Sequence, residues 1–218
     1  MEIIEAIKSR HSVRVYQEKQ IELDVIQNLQ AEIDECNKIS GLNIQLIINE
    51  PKAFSGVMAK YGKFSGVSNY IAIVGKKSKN FSELSGYYGE RIVIKAQQLG
   101  LNTCWVALTY KKVPTALNIN KGEKLLLVIS LGYGKNQGVP RKSKTISQVS
   151  NATAQTPDWF NKGVEFALLA PTAMNQQKFK LTYKNGEVTA KAGAGFYAKV
   201  DLGIVKYHFE VASSKKIL

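Results

Sequence analysis

The stretch FKLTYKNGEVTAKA, residues 179–192, decides the fold class. Apolar residues alternate with polar ones in both halves of it, and Asn185-Gly186 separates the halves. Alternation with a period of two is typical of a strand that buries one face, and Asn-Gly is a preferred two-residue turn between paired strands. The stretch therefore predicts an antiparallel hairpin.

Helices are predicted on both sides of this hairpin. One should begin at residues 156–158, because Thr can cap a helix, Pro tolerates its first position and Asp favours the positive end of its dipole. It should stop at Ala170-Pro171. After the hairpin, apolar residues spaced by three and four predict a final helix over about residues 200–212.

The N-terminal part of the chain mixes helical and strand patterns. Predicted helices cover residues 3–7, 23–36 and 85–99, and predicted strands cover residues 42–48, 70–74, 103–108 and 125–131, the last as a central strand. Residues 56–66, rich in Gly and Ser, resemble a long loop or lid, and residues 135–155 a connecting strap. Helices interleaved with strands that include an antiparallel hairpin predict an α+β fold, with a mixed or antiparallel sheet flanked by helices.

The composition excludes several classes of protein. With 44% hydrophobic and 22% charged residues, the 218-residue chain has the usual globular mix and is neither disordered nor fibrous. No apolar run reaches the roughly 18 to 20 residues that cross a bilayer, and the N-terminus lacks the basic region of a signal peptide. We therefore expect a cytoplasmic protein with no membrane partner.

The charge is strongly positive, at +13, with 30 Lys and Arg against 17 Asp and Glu. Such a surplus attracts nucleic-acid phosphates. The basic residues, however, are scattered in pairs such as Lys76-Lys77 and Lys111-Lys112, with no aromatic run between them. A solvated lysine-rich surface, or a phosphate-bearing ligand, explains the charge better than a nucleic-acid groove.

Cysteine and histidine are too scarce to suggest a metal centre. Cys36 and Cys104 show no CxxC spacing, and His11 and His208 are isolated from each other in the sequence. We expect buried thiols, no disulfide and no metal. Neither a Ser-His-Asp arrangement nor a pair of catalytic carboxylates is evident, so no side chain is assigned as catalytic.

Arg10, Ser12 and Arg14 form a candidate phosphate clamp directly after the first helix. An extended backbone would point the three side chains the same way. Each guanidinium offers a planar set of donors to a phosphate or a carbonyl-rich ring edge, and the hydroxyl adds another donor. On the residues alone, a solvated basic turn remains the alternative.

Three stretches together resemble the nitroreductase family of FMN enzymes. RHSVR at residues 10–14 resembles the family's opening Arg-x-Ser-x-Arg motif. LGLNTCW at residues 99–105 is similar to the Gly-Leu-Gly-x-x-Trp segment beside the flavin, and LGYG at residues 131–134 to the strand end that follows. APTAMNQQKF at residues 170–179 resembles Ala-Pro-Ser-Ala-x-Asn-x-Gln-Pro-Trp.

The resemblance implies a set of FMN-binding residues in this chain. They are Arg10, His11, Ser12, Arg14, Gly100, Leu101, Asn102, Arg141, Lys142, Lys144, Pro171, Thr172, Ala173, Met174, Asn175 and Gln177. In the family, the arginine motif contacts the flavin phosphate, the ribityl chain and the pyrimidine edge, and basic residues after the Gly-Tyr strand end supply another phosphate ligand.

The order of the motifs departs from most of the family. The Ala-Pro-Ser-Ala stretch usually follows soon after the second helix, whereas here it lies far toward the C-terminus. This resembles a subgroup of nitroreductases in which a C-terminal extension supplies the half-site. It implies an FMN-binding core over residues 1–150 and a helix-hairpin-helix extension over residues 151–218 that completes the flavin site, in a monomer with an internal pseudo-dimer or in a homodimer.

The activity that the resemblance implies is two-step hydride transfer. NADH or NADPH would reduce FMN at N5, and the flavin would then reduce a small organic acceptor. The alternatives are another reaction of the same fold, such as reductive dehalogenation or flavin fragmentation, a non-catalytic flavin or nucleotide sensor, and a basic nucleic-acid-binding protein.

Overall fold

A computed structural model describes residues 1–217 of the chain. These residues form α1 (Ile3–Ser9), α2 (Leu23–Ser40), β1 (Gln45–Ile47), α3 (Val57–Tyr61), β2 (Asn69–Lys76), α4 (Phe81–Gln98), β3 (Asn102–Val106), β4 (Glu123–Gly132), α5 (Ile146–Val149), α6 (Asp158–Ala167), β5 (Phe179–Lys184), β6 (Glu187–Ala192) and α7 (Ala198–Ser213). Short 3₁₀ helices cover Pro51–Phe54, Pro114–Ala116 and Ala173–Asn175. The predicted α+β class is confirmed. No helix within residues 1–217 has the length and apolar character needed to cross a bilayer.

The described residues fall into two compact units. The sheet unit contains residue 1 and residues 10–81 and 92–139, and the hairpin unit contains residues 2–9, residues 82–91 and the chain from residue 140 onward. The first half of α4 therefore belongs to the hairpin unit. The functional division at residue 150, between an FMN-binding core and an extension, stays a prediction.

The sheet unit is built on four antiparallel strands in the order β1-β2-β4-β3. Ile71 of β2 lies opposite Ile129 of β4, and both are fully buried. Strands that are covered on both faces have continuous apolar sequences, which is why residues 125–131 predict a central strand. The predicted central position of the strand at residues 125–131 is confirmed, since β4 lies between β2 and β3.

The hairpin unit contains the predicted hairpin with the predicted turn. Asn185 and Gly186 have φ values of 52° and 87°, as the mirror-image turns of tight hairpins require. In the same unit, α6 packs on α7 through Phe160 and Phe209, whose ring centroids lie 5.8 Å apart. A Cβ at Gly163 would overlap the Phe209 ring, so glycine permits this close approach.

Three predicted elements differ from the structure. The strand at residues 42–48 is only Gln45–Ile47 and is half-buried, because it is a sheet edge paired on one side. The stretch at residues 56–66 is not a plain loop but contains α3, preceded by a 3₁₀ helix whose first N–H groups are capped by the Glu50 carboxylate. The strap at residues 135–155 includes α5.

Two helix starts also differ. Helix α4 begins at Phe81, earlier than the predicted residue 85. Thr156 does not cap α6: the Thr156 hydroxyl donates to the Thr153 carbonyl at 2.7 Å, and the N-cap is Pro157. At α6, the hydrogen bond to Thr153 engages the hydroxyl that would otherwise cap the helix.

Candidate functional site

The Arg10–Arg14 segment of the sheet unit is held as an extended stretch beside the start of β3. Ser12 forms a parallel bridge with Thr103, and the Val13 N–H donates to the Thr103 carbonyl at 3.0 Å. The Ser65 N–H donates to the Arg14 carbonyl at 3.0 Å. Backbone bonds from two other segments therefore fix its path.

A buried tyrosine supports this segment from below. Tyr16 is 2% exposed, and its hydroxyl donates to the Val13 carbonyl at 2.7 Å and is hydrogen-bonded to the Ser130 hydroxyl at 2.8 Å. Burial raises the pKa of Tyr16 well above its usual value, so the side chain stays neutral. Tyr16 is thus a structural support of the Arg10–Arg14 segment.

The three side chains of the candidate clamp all act on the Cys104 thiol. Burial raises the pKa of Cys104, whereas the charge of Arg14, a hydrogen bond with Ser12 and the charge of Arg10 lower it. The Ser12 hydroxyl is therefore within hydrogen-bonding reach of the sulfur, and Arg10 and Arg14 supply positive charge in its surroundings. The sheet unit thus carries two positive charges and one hydroxyl on a single short segment.

The two arginines differ in their surroundings. Arg10 is 3% exposed, whereas Arg14 is exposed and its guanidinium lies 5.9 Å from the centroid of the Phe64 ring. Such a distance permits a cation–π contact. Arg14 thus combines a fixed position with access to solvent.

Asn102 and its neighbours, predicted to contact FMN, have structural roles in the sheet unit. The Asn102 side chain accepts from the Gly134 N–H at 2.9 Å and donates to the Gln137 side chain at 3.0 Å. Leu101 is fully buried. Gly100 has a φ of 81° and ends α4 as a left-handed cap.

His11 is packed against a glycine in the sheet unit. Gly138 has a φ of 74°, and a Cβ there would lie 2.6 Å from the His11 Cβ. The chain after β4 therefore passes directly over the arginine segment, and only glycine fits at that crossing.

The predicted phosphate ligands after residue 140 lie in the hairpin unit, and two of them make internal hydrogen bonds. Arg141 donates to the Leu168 carbonyl at 2.7 Å, and the Lys144 Nζ donates to the Gln177 carbonyl at 2.9 Å. Lys142 is exposed. Of the three, Lys142 is the residue most accessible to an anion from solvent.

Residues 172–177 of the hairpin unit have a strained backbone. Met174, Asn175 and Gln177 have φ values of 50°, 53° and 46°. A left-handed conformation costs a non-glycine residue roughly 1–2 kcal/mol, and such strain persists only where surrounding contacts impose it. Met174 is nevertheless 81% exposed.

Gln177 is one source of those contacts. It is 3% exposed; its side chain accepts from the Lys144 N–H at 2.9 Å and donates to the Lys142 carbonyl at 3.0 Å. Its backbone N–H donates to the Thr172 hydroxyl at 3.0 Å. Gln177 therefore ties residues 142–144 to the strained segment, so its side chain has a structural role whether or not it also contacts a ligand.

A second source is Asp201, which the sequence analysis missed. Its carboxylate, 3% exposed in α7, accepts from the Ala173 N–H at 2.9 Å and from the Gln176 side-chain amide at 2.7 Å. Burial raises the pKa of Asp201 to about 6, and the two hydrogen bonds oppose that rise. The only signal in the sequence is an acidic residue between Val200 and Leu202 on an apolar helix.

The predicted site residues thus form two groups in different units. The sheet unit holds Arg10, His11, Ser12, Arg14, Gly100, Leu101 and Asn102. The hairpin unit holds Arg141, Lys142, Lys144, Pro171, Thr172, Ala173, Met174, Asn175 and Gln177. That both groups bind one flavin stays a prediction.

Comparisons with known proteins identify the family. The family model described as "Putative TM nitroreductase" matches residues 2–213. A solved structure described as a "putative nitroreductase" from Thermotoga maritima is similar, with 25% identity, coverage of 97% of this chain and 83% of that one, and a TM-score of 0.68.

Two further structures share the fold at lower identity. A nitroreductase from B. subtilis has 13% identity over 72% of this chain and 76% of that one, with a TM-score of 0.55. A nitroreductase family protein from Clostridium difficile 630 has 14% identity over 72% and 100%, with a TM-score of 0.51. No curated protein matches the chain. Because the family model matches nearly the whole sequence, the chain belongs to the nitroreductase family of oxidoreductases.

Proposed function

We propose that the protein is an FMN-dependent oxidoreductase that uses NADH or NADPH to reduce a small organic acceptor. Family membership supports an oxidoreductase of the nitroreductase type. The observation that carries the cofactor assignment is that Arg10, Ser12 and Arg14 lie on one short segment, which backbone bonds to Thr103 and Ser65 fix and from which Arg14 reaches solvent.

The donor group fits FMN by its chemistry. FMN presents a phosphate dianion and a carbonyl-bearing ring edge, both of which accept hydrogen bonds. Guanidinium groups are always charged, offer only donors and bind phosphate in a bidentate manner. When bound, FMN would supply the redox chemistry, accepting hydride from the nicotinamide and passing it to the acceptor.

The chain's own residues would bind and orient the cofactor. Arg14, which is exposed, is positioned to bind a phosphate from solvent, and buried Arg10 provides a fixed positive charge that favours an anionic partner. Ser12 adds a neutral donor between them. In the hairpin unit, the strained segment at residues 172–177 would add backbone and Asn175 donors, since strain of this kind is concentrated at binding sites.

Purification and FMN titration test the proposal. We expect a yellow protein, or a colourless one that regains the flavin absorption with FMN, and oxidation of NADH or NADPH that depends on an added acceptor. Flavin binding without reduction by either nucleotide would favour the sensor. A protein that cannot be loaded with FMN would contradict the proposal. Salt-sensitive binding of nucleic acid would then favour a basic nucleic-acid-binding protein.

The assembly is tested separately. The C-terminal extension suggests either a monomer with an internal pseudo-dimer or a homodimer. Light scattering of the FMN-loaded protein, at concentrations that span the expected range of dissociation, distinguishes the two states.

A further inference from the structure

The segment that carries Met174 and Asn175 is anchored at both ends by the same carboxylate. One Asp201 oxygen accepts from the Ala173 N–H before the two left-handed residues, and the other accepts from the Gln176 side chain after them. Gln177 adds its own bonds to residues 142–144. Burial raises the pKa of the Asp201 anchor toward neutrality.

The Gln176 side-chain amide cannot flip to accept a hydrogen bond if Asp201 becomes protonated. Its side-chain nitrogen donates to Asp201 and also to the Phe196 carbonyl at 2.8 Å. A flipped amide would place its oxygen against that carbonyl, which can only accept. Gly195 makes room for the amide, because a Cβ there would overlap the Gln176 Oε1.

We propose that Asp201 is a positioning residue whose ionised carboxylate holds residues 173–176 in their strained conformation, and whose protonation releases them. An ionised carboxylate only accepts, so it satisfies both donors at once. A protonated one turns one oxygen into a donor that faces the Gln176 amide nitrogen. The inference rests on the proposed function and adds regulation to it, because FMN affinity would then depend on pH.

The groups around Asp201 permit this change near neutral pH. Burial raises its pKa to about 6, and the groups that face it are the neutral Gln176 amide and the Ala173 N–H. Helix α4, which packs on this end of α7, brings Glu83, but that carboxylate is paired with Lys206 at 2.7 Å. The two hydrogen bonds from the segment lower this pKa, so protonation opposes them and favours release of the segment, although burial makes the folded protein bind the proton more readily than the unfolded chain does.

Hydrogen–deuterium exchange of the full-length apoprotein tests the inference without any flavin. After correction for the intrinsic rate at each pH, the peptide covering residues 172–179 should lose protection by about tenfold or more between pH 8 and pH 5. In Asp201→Asn the same peptide should exchange fast at both pH values, since an amide cannot accept from both donors. Asp158→Asn, the same change at an exposed position, should behave like the wild type.

Urea unfolding would check that each variant is folded, and titration with FMN would measure the affinity for the cofactor at each pH. The dissociation constant for FMN should rise more steeply as the pH falls through about 6 in the wild type and in Asp158→Asn than in Asp201→Asn, where it should be high throughout and should change only because the FMN phosphate itself loses charge.

The two proposals fail in different ways. Protection of residues 172–179 that is independent of pH, or unchanged by Asp201→Asn, overturns the role of Asp201 whatever the flavin result. If no variant binds FMN but the exchange behaves as expected, the positioning role stands and the proposed cofactor is wrong.

Discussion

Arg10 and Arg14 carry the same charge but differ in how a substitution at each position can be interpreted. Arg10 is 3% exposed, so removing it disturbs packing as well as charge. Arg14 is exposed, and backbone hydrogen bonds hold its segment in place. The Val13 N–H donates to the Thr103 carbonyl, and the Ser65 N–H donates to the Arg14 carbonyl. Its side chain can therefore be removed without loss of the segment's path.

Arg14→Ala should weaken FMN binding by roughly 10-fold to 100-fold, which is the effect of losing a hydrogen bond between charged groups. The control is Lys76→Ala, which removes one positive charge at the exposed end of β2 and should change the affinity less than about twofold. Fluorescence titration with FMN at fixed ionic strength gives both values. Equal losses would mean that general positive charge, and not the clamp, holds the flavin.

The sequence identified the arginines but not Asp201. Two guanidinium groups and a hydroxyl within five residues form a local pattern that can be detected in the sequence. The partners of Asp201 lie 28 and 25 residues earlier in the chain, at Ala173 and Gln176, so no short window contains the network. Gln177 was predicted as a ligand, but its internal bonds depend equally on distant residues.

The hairpin of β5 and β6 depends on its turn. Gly186 has a φ of 87°, and a Cβ there would contact nothing within 4 Å, so the cost of a side chain would be conformational alone. Gly186→Ala should lower the free energy of unfolding by about 1–2 kcal/mol.

Gly56→Ala is the matched control for this change. A Cβ at Gly56 also meets nothing within 4 Å, but its φ is −86°, which alanine adopts readily. Because Gly56 is the N-cap of α3, where alanine is less favourable than glycine, urea unfolding should show a loss of no more than about 0.5 kcal/mol. If both variants lost stability equally, the positive φ would not be the cause.

Elements with local signals were predicted well, and those decided by tertiary position were not. The hairpin and the helices over residues 23–36 and 200–212 follow from alternation or helical spacing, and the structure confirms them. The apolar run at residues 42–48 could not reveal that its strand is a short sheet edge. Helix α3 was missed because its Gly-rich surroundings resemble a loop.

At the scale of the whole molecule, the buried Asp201 carboxylate makes stability depend on pH. Its pKa of about 6 in the folded protein exceeds the ordinary 3.8, so the folded state binds the proton more readily. Its contribution to stability is therefore fully present below about pH 4 and is lost as the pH rises through 6. The shift corresponds to about 3 kcal/mol at most.

The Asp201→Asn variant has no carboxyl group at this position, so the loss of stability with rising pH should disappear. The difference in unfolding free energy between Asp201→Asn and the wild type should shift in favour of the variant by up to about 3 kcal/mol from pH 4 to pH 8. Urea unfolding at both pH values measures it, with Asp158→Asn as the control. A difference that does not change with pH would mean that the folded carboxylate titrates normally.

Each of the two units contains some of the residues predicted to bind FMN. The donor group of Arg10, Ser12 and Arg14 belongs to the sheet unit, and the strained segment at residues 172–177 belongs to the hairpin unit. The family resemblance predicted both groups of residues, because each motif is short and contiguous. How each group is supported, through Tyr16 in one unit and Asp201 in the other, depends on contacts that the sequence does not show.

Anaerobic titration of the FMN-loaded protein with NADH, and in parallel with NADPH, tests the central claim most directly. We predict that the absorption of the bound flavin is lost with about one nucleotide consumed per FMN, since each transfers two electrons, and that it returns when an organic acceptor is added. A bound flavin that neither nucleotide bleaches would contradict the claim that this protein is an FMN-dependent oxidoreductase driven by NADH or NADPH.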